Sequence, residues 1–270
     1  MKITRLGWAG VELEATDGTL AVIDLMENVG SMREYMGEAH TVLPPPSRPG
    51  AVSVALVTHL HGDHTDAAAI AAALAPDGIL LRPAPDTGAF LEIAGTLEAE
   101  RRLVALGVRQ RIVNVWETVD AGPFRATAVP AVDGFGDPQV GWVVEAGGTR
   151  IYHAGDTLFH GSWWKARMRV GAIDVAFLPV NGAVVSLPHR QPASPFAAVL
   201  TPDEAAAAAG ILGTGLAVPI HYDTIHNPPV YAQVDDPAAA FARAGAARGV
   251  AVRVLAPGES LVTEGAPAVA

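Results

Sequence analysis

Short apolar runs broken by Gly and Asp turn signals open the chain, and residues 3–6, 11–15 and 20–25 read as strands of a β-meander. The stretch 41–50 holds Pro44, Pro45, Pro46 and Pro49, which continue neither a helix nor a ladder, and is predicted as an irregular loop. The run 51–57, apolar but for Ser53, then predicts a buried strand over 52–58. Residues 67–75 are alanine-rich and helical by propensity, with Thr65 and Asp66 placed to cap them. A helix over 87–106 brings Phe90, Ile93, Leu97 and Leu103 near one face. Strands are predicted at 112–116, 124–129, 141–145, 150–153 and 173–179. The helix 202–212 starts on Pro202 after Thr201, with Asp203 and Glu204 in its first turn, where a missing N–H and negative charge are both favoured. A strand at 216–220, a helix at 237–248 and a strand at 252–255 complete the pattern, and the tail 264–270 is expected to be mobile. Strands that first meander and later alternate with helices support two mixed sheets packed face to face with helices outside.

Half of the 270 residues are hydrophobic, enough to bury a large core as one domain over 1–270 without disulfide support. With no cysteine, thiolate ligation and cysteine nucleophiles are excluded, so any metal must be held by His and carboxylate. A net charge of −10 weighs against a polyanion and makes nucleic acid an unexpected partner. The N-terminal residues lack the uninterrupted apolar core of a signal peptide, and no stretch is long enough to span a bilayer. No membrane partner and a cytoplasmic location are expected; a homo-oligomer stays open.

The chemistry is concentrated where the strand 52–58 ends, in Thr58-His59-Leu60-His61-Gly62-Asp63-His64-Thr65-Asp66. Three imidazoles and a carboxylate crowd residues 59–64, and such groups beside an apolar strand need many polar partners. Metal binding supplies them together. At an extended strand end the period of two turns His59 and His61 to one side, while Asp63 and His64 lie in the turn beyond and face a second ion. A solvated loop with chance histidines is the alternative, and the apolar strand feeding the cluster argues against it.

This His-x-His-x-Asp-His signature resembles that of the metallo-β-lactamase superfamily, and the resemblance runs nearly end to end. Residues 1–25 look like the family's opening strands, with Gly7 and Asp24 in familiar places. Tyr152-His153-Ala154-Gly155-Asp156-Thr157 is similar to its Gly-Asp-Thr strand end, and Val218-Pro219-Ile220-His221-Tyr222 to the late strand carrying its last histidine. A narrower likeness is to compact hydrolases similar to ascorbate-phosphate lactonase. The resemblance implies an α/β fold, the αββα four-layer sandwich, and a metal-dependent hydrolase with two divalent ions, zinc first. It further implies that Asp156 bridges the ions, as a carboxylate with two oxygens can, and that His221 is a ligand of the second. A turn Asp and a structural strand-end His are the plainer readings of these two residues.

One landmark departs from the family pattern. Another His is usual in the loop after a strand such as 124–129, and here Pro130-Ala131-Val132-Asp133-Gly134-Phe135-Gly136-Asp137-Pro138 has none. Asp133 stands nearest and is the candidate ligand of the first metal, against a simple turn role; Asp137 is a weaker candidate because Pro138 follows it. Carboxylate in place of imidazole hardens the site and admits Mn or Fe beside zinc. Trp8 stands where many relatives have His and is expected to shape the wall of the site.

Other polar residues carry less. His153 is expected to support the ligands from behind, and His226 is a candidate proton donor or substrate contact. His160, Trp163 and Trp164 suit helix packing more than a pocket wall. The segment 181–196, with His189 and Arg190, reads as a long irregular insertion in which Arg190 is either an anion contact or solvated. His40 has no interpretation. Two adjacent ions would make a hydroxide nucleophile near neutral pH, oriented by Asp63, and would stabilise charge on the substrate oxygen. The expected substrate is a small ester, lactone or phosphorylated metabolite. The alternatives are a phosphodiesterase or nuclease of the same fold and a non-catalytic metal-binding module.

Overall fold

The meander forms as β1 (Lys2–Gly7), β2 (Gly10–Glu14) and β3 (Leu20–Ile23) in a computed structural model that describes residues 1–188 and 190–263. A 3₁₀ turn and the short helix α1 (Arg33–Met36) precede the proline loop. β4 (Val52–Leu56) then leads to α2 (Ala67–Ala73), where the Asp66 carboxylate caps the Ala68 and Ala69 N–H groups. β5 (Leu74–Arg82), α3 (Phe90–Ala105), β6 (Gln110–Ile112), β7 (Thr118–Ala121), β8 (Phe124–Pro130), β9 (Val140–Ala146) and β10 (Thr149–His153) follow. Next come α4 (Ser162–Val170), β11 (Val175–Pro179), β12 (Val184–Val185) and α5 (Pro202–Leu212). The order ends with β13 (Leu216–Ile220), β14 (Tyr231–Ala232), α6 (Pro237–Ala247) and β15 (Ser260–Val262).

Two mixed sheets result, ordered β15-β1-β2-β3-β4-β5-β6 and β13-β11-β10-β9-β8-β7. Alternate residues of their strands divide between three cores, which defines the four layers. Val54 and Leu56 of β4 face Trp142 and Val144 of β9, Phe177 of β11 and Val218 of β13 in the core between the sheets. Val52, Ala55 and Val57 turn the other way, onto Ala67 and Ile70 of α2 and Leu103 of α3. On the opposite side Val143, Ala176 and Ala217 meet Trp163 of α4, Ala205 and Ala209 of α5 and Phe241 of α6. The period-two pattern of each strand therefore decides the αββα sandwich, because each sheet has an apolar face for the other sheet and one for helices.

Several predicted elements differ. Ladder pairing over 112–116 stops at Ile112, and Trp116 takes φ 71° in the turn toward β7. β5 is an unpredicted strand, masked by the turn-like Pro76, Asp77 and Gly78; its register shifts there before Ile79 to Leu81 pair with β4. The predicted strand over 252–255 amounts to a single bridge between Val252 and Ala217, while the outer partner of β1 is β15. Within the supposed insertion, β12 pairs with β14. The tail 264–270 and His189 lie outside the described residues.

Candidate metal centre

The sheets deliver the site residues from the carboxyl ends of their strands, where open α/β sheets place their crevices. β3 runs into Asp24, β4 into Thr58 and the His59 to His64 turn, β8 into Asp133, β10 into Asp156 and β13 into His221. Trp8 occupies the β1–β2 turn. Trp8, Asp24 and His221 are non-glycine residues with φ of 37°, 50° and 59°, in the left-handed region that side chains disfavour, so packing holds the backbone there. The His221 N–H donates to the Trp8 carbonyl at 2.9 Å, locking two of these turns together.

Asp24 is the buried hub. Its carboxylate accepts the Thr58 N–H at 2.7 Å, the Thr58 hydroxyl at 2.8 Å and His64 Nδ1–H at 2.8 Å. Because the Thr58 proton goes to Asp24, its hydroxyl oxygen is left to accept His59 Nδ1–H at 3.0 Å. These bonds fix which nitrogen each ring offers: Nδ1 of His59 and His64 is held by Thr58 and Asp24, and Nε2 faces the cluster. Gly155, at φ 63°, lets the β10 end press on this hub, since a Cβ there would lie 2.7 Å from Thr58.

His61 is held on its other side. Its Nε2 donates to Asp137 Oδ2 at 2.6 Å, which leaves Nδ1 toward Asp133 Oδ2 at 3.9 Å. Asp137 in turn accepts from Arg190 Nη2 at 3.1 Å, while Arg190 Nη1 donates to the Phe135 carbonyl at 3.0 Å. Asp133 Oδ1 accepts the Phe135 and Asp137 N–H groups, so its turn role and its free Oδ2 coexist. A bridge between Asp133 and Thr157 sets this loop beside Asp156.

Ligand-type atoms converge in three sets, each within 4.8 Å, of which the first two are His59, His61 and Asp63, and Asp63, His64, Asp156 and His221. Asp63 is common to both; a third set joins His61, Asp133 and Asp137. Asp156 Oδ1 lies 3.1 Å from His64 Nε2 and 2.8 Å from His221 Nε2. Trp8 Nε1 donates to Asp63 Oδ2 at 3.1 Å and its ring packs 3.9 Å from that of His221.

Charge is concentrated here with little solvent to screen it. Burial opposes ionisation of His64, yet the Asp156, Asp63 and Asp24 carboxylates raise it well above an ordinary imidazole. Burial likewise opposes the ionised Asp156, and His221 and His64 hold it well below the usual range. His59 is pushed well down by burial and by its His64 and His61 neighbours. His61, against burial, is raised to about 9 by Asp133 and Asp137. Without a cation, proton-bearing imidazoles must neutralise these carboxylates.

The residues fit divalent ions. Buried His59 Nε2, His64 Nε2 and Asp156 Oδ1 have no hydrogen-bond partner although they face one another. Buried polar atoms are ordinarily satisfied. The opposite nitrogens of His59, His61 and His64 are each held by a protein group, as the outer partners of metal-binding histidines hold them.

The structure thus brings together His59, His61, Asp63, His64, Asp156 and His221, with Asp133 beside His61. His226 is exposed, its Nδ1 accepting the Gln233 N–H at 3.3 Å, and no hydrogen bond or ring contact joins it to the cluster among the described residues. His153 lies behind the hub: Nε2 donates to the Ala9 carbonyl and Nδ1 accepts the Gly155 N–H. Trp163 belongs to the outer core, stacked on His160 at 4.4 Å. Arg190 is half-buried, with its guanidinium engaged by Asp137 and the Phe135 carbonyl. Thr58 and the hub role of Asp24 have no sequence signal beyond their places beside strand ends; the second Asp of the 130–138 loop was the available clue to Asp137.

A four-layer sandwich with a His and Asp cluster at its strand ends defines a metallo-hydrolase fold. Residues 22–222 match the family model described as the beta-lactamase superfamily domain. The chain belongs to this superfamily and is a metal-dependent hydrolase. It is 28% identical over 270 residues to a metal-dependent hydrolase of Deinococcus radiodurans, covering 96% of this chain and 98% of that one. Among solved structures it is similar to the metallo hydrolase Igni18 of Ignicoccus hospitalis, with TM-score 0.66 and 22% identity over 97% of this chain and 98% of that one. The diiron β-hydroxylase CmlA of Streptomyces venezuelae shares the fold at TM-score 0.74 and 17% identity, over 96% of this chain and 53% of that one. No helix among the described residues is long and apolar enough to cross a membrane.

Proposed function

We propose that the centre holds two divalent ions and hydrolyses a small ester or lactone. The observation that carries this reading is the convergence of buried ligand atoms without a hydrogen-bond partner, His59 Nε2, His64 Nε2 and Asp156 Oδ1, with the far nitrogens of both histidines held by Thr58 and Asp24. His59 Nε2, His61 Nδ1 and Asp133 Oδ2 would hold the first ion, and His64, His221 and Asp156 the second; Asp63, common to both ligand sets, would take the shared place that the resemblance gave to Asp156. Divalent ions held there would supply an activated water near neutral pH and a Lewis acid for the scissile oxygen. Asp63, pinned by Trp8 Nε1–H, would be placed to orient that water. Zinc suits the imidazoles, and the carboxylate-rich set also accommodates Mn or Fe, the metal named for CmlA.

A neutral carbonyl substrate is favoured over a phosphorylated metabolite by charge. Asp24, Asp63, Asp133, Asp137 and Asp156 offset two divalent ions, and the Arg190 guanidinium is already engaged by Asp137 and the Phe135 carbonyl. The net charge of −10 disfavours nucleic acid in the same way. The test is to strip the protein with chelator, reload it with Zn, Mn or Fe(II), and assay ester and lactone panels beside linear phosphodiesters. Ester or lactone turnover that vanishes and returns with metal is expected. Turnover of phosphodiesters alone overturns the substrate assignment, and a protein that takes up no metal overturns the centre itself.

A further inference from the structure

Two buried polar side chains near the cluster take no part in holding it. Asn181 follows β11 and Tyr231 opens β14; Asn181 is fully buried and Tyr231 is 4% exposed. Asn181 Nδ2 donates to the Tyr231 hydroxyl at 2.9 Å. The direction of that bond is set by a third group, because Asn181 Oδ1 accepts the Ala183 N–H at 3.2 Å and the amide must therefore turn its NH₂ to the phenol. The phenolic oxygen receives, and its own proton is left to give. Among the described residues no acceptor takes it. A buried donor left without an acceptor is costly, so this proton calls for a ligand.

Its surroundings indicate which. The Tyr231 ring lies 6.3 Å from that of Trp8, whose indole packs on His221 and donates to Asp63. Burial first, and then the Asp156 and Asp63 carboxylates, hold the phenol well above its ordinary pKa, so it remains a neutral donor beside the cluster. A carbonyl oxygen under attack gains negative charge, and a fixed donor in a buried site stabilises that charge with no reorganisation.

We propose that Tyr231, positioned by Asn181, donates a hydrogen bond to the substrate oxygen on which negative charge develops at the metal centre. The role rests on the hydrolase reading above. No proton need transfer: the phenol keeps its proton and shares it. Tyr231 is then a substrate-contacting residue, and Asn181 a positioning residue that acts through it.

The probe is methylphosphonate, a tetrahedral oxyanion, titrated into cobalt-loaded protein and followed by the cobalt d–d absorption. Tyr231→Phe keeps the ring against Trp8 and should leave cobalt stoichiometry and the ligand-free spectrum unchanged. Its methylphosphonate affinity should fall about 10- to 100-fold, as the loss of one hydrogen bond to a charged group requires. Tyr231→Phe with Asn181→Leu removes the side-chain amide as well, leaving the Ala183 N–H without its acceptor, and should show the same weakening. On any ester or lactone that is turned over, kcat should fall while KM stays near the wild-type value. Equal methylphosphonate affinity in wild type and Tyr231→Phe, or no spectral response in cobalt-loaded wild type, overturns the donor role alone. Failure of the wild type to bind cobalt overturns the metal centre and the donor role with it.

Discussion

Thr58→Val exchanges a hydroxyl for a methyl at a position with neither exposure nor spare room. Thr58 is fully buried, and Gly155 packs so closely that an added Cβ there would lie 2.7 Å away. Valine conserves the volume but strands His59 Nδ1–H and removes one of the donors on Asp24. A buried donor left unmet costs about 1–3 kcal/mol and a lost bond to a carboxylate about 1 kcal/mol or more, so the metal-free protein should lose about 2–4 kcal/mol. At about 2.1 cal/mol/K per residue, a chain of 270 residues unfolds with about 0.57 kcal/mol/K, and Tm should drop by about 4–7 °C. The Thr58 N–H still holds Asp24, so the damage centres on His59 and weakens the first ion by about 10- to 100-fold. Calorimetry of chelated protein and a competitive cobalt titration read the two effects. Thr58→Ser, which keeps the hydroxyl, should recover both. A valine variant with wild-type Tm and wild-type metal affinity would refute the tautomer assigned to His59.

Asp137→Asn keeps the shape but weakens the hold on His61 Nε2, and should lower affinity for the first ion about tenfold while sparing the second; equal affinities in a two-site titration would reduce Asp137 to a partner of Arg190. His160 is pushed down to about 4 by burial against Trp163. Its folded pKa lies below the unfolded value of about 6.5, so its contribution to stability is present above that pH and is lost as pH falls toward 4. His160→Phe keeps the stack and escapes this loss, so its Tm relative to wild type should rise between pH 7 and 4; a constant difference would contradict the shift.

What could be read without coordinates was local or periodic. The His59 to His64 turn declares itself because its groups are neighbours in sequence, and the alternating strands foretell sheets with two apolar faces. β5 escaped because Pro76-Asp77-Gly78 imitates a turn inside a strand that pairs only partly. The outer supports were illegible for a different reason. Asp24 meets Thr58 and His64 only once β3 and β4 pair, Asp137 meets His61 only after the two sheets dock, and Asn181 meets Tyr231 only when β14 folds back onto β12, and no spacing along the chain encodes such encounters. Asp133 lies between these cases: the loop could be located from the strand before it, but whether its carboxylate turned toward His61 depended on the fold of residues 133–137.

The ligand set draws on both sheets at once. His59, His61, Asp63 and His64 hang from β4, while Asp133, Asp156 and His221 hang from β8, β10 and β13. Bound ions would therefore act as rivets across the seam of the sandwich, adding to the His61–Asp137, His153–Ala9 and His221–Trp8 hydrogen bonds that already join the halves at that edge. The unfolded chain offers only the short His59 to His64 half of the grip, so affinity should belong almost wholly to the folded state. Metal at a hundred times its Kd then adds about 2.7 kcal/mol per site to stability. The edge that carries the chemistry would be where the sheets first part when metal is withdrawn, and amide exchange near Thr58 and Asp156 should respond to chelation before the outer helices do.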